Sequence, residues 1–324
     1  MPTIRSSELS GTAKCKIQQM VNAMNWPELR IEDWRDTYAT LHMWTQIVGK
    51  IRLAATPLVN HWWNVPLYVS ARGLTTSAMP YEERIFEMEF DLIDHKLQIR
   101  CNDGASANVR LAPKSVATFY REVMDALASL GITVKIWTMP VEVPSAWSVV
   151  TEAIPFDEDE VHHSYDAEYS NRFWRCLVAI DSVFKAFRCD FIGKVSPVHF
   201  FWGSFDLAVT RFSGRRAPER EGADPITAEA YSHEVISHGW WPGGGGNEAM
   251  FYSYAAPEPT GLSSALIAPQ DAFYSGDMNE FLLPYDAVRR SGNPEDDLMR
   301  FLQSTYIAAA DLAVWDRAAL ERSR

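Results

Sequence analysis

Residues Arg84 to Cys101 read RIFEMEFDLIDHKLQIRC. Phe86, Met88, Phe90 and Leu92 alternate with Glu87, Glu89 and Asp91, so an extended chain here shows one apolar and one charged face. Ile93-Asp94-His95-Lys96 breaks the alternation with turn residues, and Lys96 to Cys101 resumes it, which makes the stretch an antiparallel hairpin. An antiparallel sheet needs cover on only one face, and helices on either side in the chain can supply it. The expected fold class is therefore α+β, with largely antiparallel sheets packed with helices.

Upstream, Tyr38, Leu41, Trp44, Val48, Ile51 and Ala55 recur every three or four residues, predicting a helix from Asp33 to Ala55 that Pro57 closes. Val65 to Thr76 reads as a strand. Downstream, Lys114 to Leu130 predicts an amphipathic helix stopped by Gly131, followed by a strand from Thr133 to Trp137. Pro140, Pro144, Pro155 and the acidic run Asp157 to Glu160, read as a solvated face or a helix start, mark a connection. Then come a helix from about Ala167 to Arg188 and a long strand from Val198 to Phe212. Further strands are expected at Tyr231 to Trp241, Ala249 to Tyr254 and Glu280 to Pro284, with a final helix from Pro294 to Trp315. His61-Trp62-Trp63 leading to Arg72-Gly73 parallels His199-Phe200-Phe201 leading to Arg211 and Gly214, so two pseudo-repeated halves are expected. Their bounds are 26–140 and 166–320, joined by 141–165 and packed as one unit.

The 324 residues are 47% hydrophobic and 22% charged, the profile of a folded chain. A net charge of −12 disfavours nucleic acid, which is bound through Lys and Arg. Met1 to Lys16 has no apolar core and reads as neither secretory signal nor anchor. No stretch holds 18 uninterrupted apolar residues, so no membrane span is expected. Cys15, Cys101, Cys176 and Cys189 are widely spaced with no CxxC pair, which favours reduced thiols and a cytoplasmic location. The 12 Trp, 12 Tyr and 16 Phe suit an aromatic-walled pocket as well as a core.

Several segments carry a resemblance: Trp26-Pro27-Glu28-Leu29, Asp36 to His42, Asn60-His61-Trp62-Trp63, Ser196 to Asp206, Arg211 to Arg216 and Ser232-His233-Glu234. From about Trp26 to Leu320 the chain resembles a bacterial family known as domain of unknown function 5996. The resemblance implies a bacterial cytosolic origin and a fold shared along the whole match. It transfers no catalytic residue.

The chemistry therefore rests on residue types and spacing. On one long ideal strand, His199, Phe201, Phe205 and Arg211 would share one face, and Trp202, Ser204, Asp206 and Thr210 the other. Buried polar groups without partners cost about 1 to 3 kcal/mol each, so His199 and Asp206 need either structural partners or a function. In Tyr231 to His238, His233 and Glu234 point to opposite faces while Glu234 and His238 share one; a carboxylate beside an imidazole prepares a general base. A divalent metal on His61, His199, His233, His238 or Glu234 is allowed, although no HExxH, HxH or CxxC spacing supports it, and no cofactor is expected. His42 and Gln46 lie one helical turn apart. Gly243 to Gly246 lacks a phosphate-loop pattern and reads as a loop or lid, and there is no GxSxG elbow.

These residues lead to one expectation: a hydrolase-type enzyme that activates water by general-base catalysis on a compact, flat or aromatic small molecule, releasing a halide or acyl group. The base would be His199 or His233, its orienting carboxylate Glu234 or Asp206, and the stabiliser of negative charge Arg211 or Arg72. His61, Trp62, Trp202 and Trp241 would line the substrate pocket. The alternative is a non-catalytic protein whose aromatic pocket holds a metabolite or partner. A homodimer built on the aromatic surface is a third.

Overall fold

A computed structural model describes residues 26–322; the readings of Met1 to Lys16 and of Cys15 lie outside the described residues. The opening hairpin forms as expected, from β4 (Arg84–Asp91) and β5 (Lys96–Cys101), with Phe86 opposite Cys101 and Phe90 opposite Leu97. Phe86, Met88, Phe90 and Leu92 are buried, while Glu87 and Glu89 on the other face pair with Arg100 at 3.0 Å. Around the hairpin lie β1 (Tyr68–Val69), β2 (Gly73–Thr75), β3 (Met79–Tyr81) and β6 (Ser106–Arg110). Together they make an antiparallel sheet of order β1-β2-β4-β5-β6, with β3 paired to the end of β4. Val65 to Thr76 is thus two short strands around a turn. Gly73 is required where β2 crosses β4, because a Cβ there would stand 1.8 Å from the Phe90 carbonyl oxygen.

A second six-stranded antiparallel sheet has the order β11-β12-β10-β9-β8-β7. Its strands are β7 (His199–Phe201), β8 (Asp206–Arg216), β9 (His233–Trp241), β10 (Met250–Ala256), β11 (Phe273–Ser275) and β12 (Glu280–Pro284). Leu67 and Phe200 exchange both backbone hydrogen bonds at 2.9 Å, so the first strands of the two sheets meet edge to edge.

The expected long strand from Val198 to Phe212 is instead a hairpin. Residues 202–205 turn back with Phe205 at φ 59°, placing Phe201 opposite Asp206 and His199 opposite Ala208. Opposed residues share a face, so His199, Phe201, Asp206 and Thr210 stand together and Arg211 faces the other way. The face assignment from a single strand is corrected accordingly.

Helices cover one face of the sheets. α1 (Ile31–Ala55) carries Glu32 and Asp33 in its first turn and Arg52 in its last, each favourable to the helix dipole. It is buried on nearly every side. α2 (Val116–Ser129) starts on the Ser115 side chain and ends at Gly131, whose φ of 71° suits glycine. α3 (Ala167–Cys189) is capped by Asp166, and α6 (Pro294–Leu312) begins with proline followed by three acidic residues. Short helices α4 (Pro225–Ala230), α5 (Tyr285–Arg290) and α7 (Arg317–Leu320) complete the set. One contiguous apolar core runs from Trp26 to Trp315.

Three local expectations change. Thr133 to Trp137 joins no sheet; the neighbouring chain is held by α1 instead, where the Lys50 ammonium donates to the carbonyls of Trp137 and Met139. Asp159, in the acidic run, is fully buried and accepts from the backbone N–H groups of Val161 and His162. Gly243 to Gly246 is a tight turn whose glycines all have positive φ, seated against residues 146–147, where a Cβ on Gly245 would meet the Ala146 carbonyl at 1.9 Å. A free lid does not describe that packing. Among the described residues, no helix is long and apolar enough to cross a membrane.

Candidate functional site

On the back of the second sheet, Leu207, Val209, Ile236, Trp240, Phe251 and Leu283 are buried against the helices. The front carries Asp206, Thr210, Ser237, Gly239, Trp241, Tyr252 and Tyr254, as strand alternation and the pairings of Ala208 with Gly239 and Gly239 with Tyr252 require. This polar and aromatic face holds the densest group of perturbed ionisable side chains.

Asp206 lies at its centre, 6% exposed. It accepts a hydrogen bond from the Ser204 hydroxyl at 2.5 Å and a short one from the Tyr252 hydroxyl. Burial raises its pKa, and those two donors act against the rise. Glu142 arrives from the proline-flanked connection with φ 60°, and Glu280 from the start of β12. Both are pushed up to about 7, first by burial and then by the charge of Asp206. Glu142 is open to water yet hemmed in by protein, as in the wall of a recess.

Two glycines make room. A Cβ on Gly203 would stand 2.1 Å from a Glu142 carboxylate oxygen, and one on Gly239 would stand 2.1 Å from Cζ of Tyr252. The Tyr252 ring stacks on Tyr254 at 6.2 Å, and the Tyr254 hydroxyl meets that of Tyr231 at 2.9 Å. Tyr38, wholly buried, feels Asp206 and is hydrogen-bonded by Trp241, whose ring meets Trp147 edge-on at 6.4 Å. Three carboxyl groups thus gather, centred on Asp206, beside these aromatic rings. Buried carboxyl groups that feel one another's charge hold protons near neutral pH, the condition for general acid–base work by carboxyl groups.

Of the ten residues singled out by sequence, Asp206 and Trp241 belong to this recess. His199 is 1% exposed, edge-on to Trp63, Tyr68 and Phe201, and held neutral at about 3 by burial and by the charges of Arg52 and Arg188. His233 sits with His61, ring centres 5.7 Å apart, and burial together with Lys194 lowers both. The His61 ring contacts the Glu229 carbonyl and the Lys194 ammonium, and the buried Trp62 indole N–H finds no protein acceptor. Glu234 points to the opposite face from His233, pairs with Arg215, accepts from Ser213, and borders a shallow cleft of about 160 Å³ beside Glu258 and Trp315. His238, on the face of Glu234, is sealed against Phe187 and Thr305.

Arg211 cannot stabilise charge in the recess. Its guanidinium lies 3.5 Å over the Phe187 ring and 4.2 Å over Tyr306, behind the sheet, and donates to the Phe187 carbonyl. Arg72 pairs with Asp91 and Asp94 on the first sheet, and the Trp202 indole donates to the Val65 carbonyl against Gly49. His42 donates from Nε2 to the Gly203 carbonyl at 2.8 Å, bracing the turn below Ser204. No three His, Cys, Asp or Glu side chains among the described residues are placed to hold a metal ion.

Sequence reasoning missed Glu142, Glu280, Tyr252 and Tyr254. The two tyrosines at i and i+2 in Met250–Ala256 were the available sign of a polar sheet face; the lone carboxylates 138 residues apart gave none.

No curated protein and no solved structure matches the chain. The model of the family of unknown function DUF5996 matches residues 26–322, which takes in every element described above and the whole recess, and the chain belongs to that family.

Proposed function

We propose that the chain is a hydrolase-type enzyme in which the recess of Asp206, Glu142 and Glu280 activates water against a compact, flat or aromatic small molecule. The observation that carries this reading is the shared aromatic-walled position of three carboxyl groups, two of them titrating near 7. A carboxylate with a pKa close to ambient pH is an effective proton acceptor. Glu142, which water reaches, is the base; Asp206, fixed by Ser204 and Tyr252, sustains its raised pKa; Trp241 and Tyr252 flank the substrate. Histidine is not required, since His199 is neutral and caged and His233 lies with His61. The free thiols of Cys101, Cys176 and Cys189 suit a reducing cytosol.

The test is turnover of a panel of aryl esters, amides and haloaromatics. Activity should rise with pH through about 7, and Glu142→Gln and Asp206→Asn should lower kcat/KM by roughly 100-fold or more while the protein stays folded. Full activity in folded Glu142→Gln would refute the assignment.

The electrostatics also favour a second reading. A recess with three carboxyl groups and tyrosine and tryptophan rings suits capture of an organic cation without turnover. Binding of benzylammonium or benzyltrimethylammonium with proton release, and no product, would select it.

A further inference from the structure

Where β1 meets β7, the chain buries positive charge without a carboxylate. Arg52 is 7% exposed; one guanidinium N–H donates to the Thr76 carbonyl, the group lies 5.4 Å over the Tyr68 ring, and its Nε has no protein acceptor. Arg188, near the end of α3, also has a buried Nε without an acceptor, and neither arginine forms an ion pair among the described residues. Asp181, a carboxylate that feels Arg188, is already paired with Lys185 at 2.6 Å. His199, 1% exposed and with an unpartnered Nε2, feels the charge of both arginines, and the Tyr68 ring beneath Arg52 stands 5.7 Å from its own. Its ring is surrounded edge-on by Trp63, Tyr68 and Phe201, all partly open to solvent, and Lys194 adds a further cation 5.3 Å from the Trp63 ring centre.

Burying a guanidinium without a counter-charge is unfavourable, and buried N–H groups without acceptors add to the cost. Proteins keep such an arrangement where an anion completes it, and arginine is the side chain best matched to planar or tetrahedral oxyanions. We propose that Arg52, Arg188 and His199 form a subsite for a small oxyanion, a carboxylate or phosphate group, walled by Tyr68, Trp63 and Phe201. The site lies at the junction of the two sheets and stands independently of the acidic recess. Arg52 and Arg188 supply the charge and the Nε donors; His199, neutral, supplies a ring nitrogen that donates in one tautomer. The aromatic rings would hold the body of a ligand whose acidic group is seated below them.

Isothermal titration of the full chain with sodium phosphate and, separately, with sodium benzoate tests this, at ionic strength fixed with sodium chloride. One saturable site for at least one probe is expected; phosphate alone identifies a phosphate subsite, and benzoate an aromatic carboxylate. Arg188→Gln and Arg52→Gln should each weaken that binding at least tenfold. Arg188, partly exposed, keeps the test decisive if Arg52→Gln fails to fold. Saturable binding of neither probe, which would leave only water at these donors, or unchanged affinity in Arg188→Gln, overturns the proposal.

Discussion

Gly203 and Gly239 show how narrowly single residues define the recess. Each lacks a Cβ where one would stand 2.1 Å from a side chain of the recess, so an added methyl must move Glu142 or the Tyr252 ring. Overpacking of this kind costs about 1 to 3 kcal/mol. Gly239→Ala should lower stability within that range by urea denaturation, and Gly203→Ala should abolish recess activity or binding with a smaller stability change. Arg211 and Glu234, both nominated from sequence, should part company. Arg211→Ala removes a guanidinium stacked between Phe187 and Tyr306 and should cost about 3 kcal/mol or more. Glu234→Gln loosens a contact with the half-exposed Arg215 and should change stability by about 0.5 kcal/mol or less. Equal losses from the two would contradict their placement.

The β7–β8 hairpin is the element on which the site depends. Its turn holds Phe205 in the left-handed region, and the ring packs at 4.7 Å from Tyr38, 5.0 Å from Phe173 and 5.1 Å from Phe200. The same turn delivers Ser204 and Asp206 to the front face. Phe205→Ala should therefore cost about 3 to 5 kcal/mol, and its loss of recess function should track the unfolding measured by circular dichroism. The hairpin was hidden from sequence reasoning for a physical reason. Trp202-Gly203-Ser204-Phe205 is as apolar as a strand, and a bulky residue at positive φ persists only because tertiary packing holds it. One unseen reversal inverted which residues share a face.

Across the whole molecule, two sets of buried groups pull stability in opposite directions with pH. Glu142 and Glu280 hold protons up to about 7 when folded, against about 4.5 when unfolded. The folded state then binds more protons in that window, and this contribution falls as pH rises through it. His42 and His199 are lowered to about 4 and about 3, and His238 well below its usual value, chiefly by burial. Below about 6.5 the unfolded chain takes up protons that these rings cannot, so stability drops on acidification by roughly 1 kcal/mol per pH unit per histidine. Thermal denaturation across pH should show acid lability below about pH 5. The double variant Glu142→Gln, Glu280→Gln should gain stability over the parent at pH 8 and not at pH 5; a gain at both would mean the carboxyls do not share protons as described.

Sequence alone determined the α+β class, the antiparallel hairpin of 84–101, the four long helices and most strand positions. Each follows from local periodicity, caps and turn residues, which act over a few neighbours. It also pointed to Asp206 and Trp241. Only tertiary structure decided that Glu142 and Glu280, remote in the chain, meet Asp206 in one recess, that Arg211 is caged behind the sheet, and that His199 stands among arginines. Burial and charge proximity depend on distances across the fold, and one chain order carries no record of them.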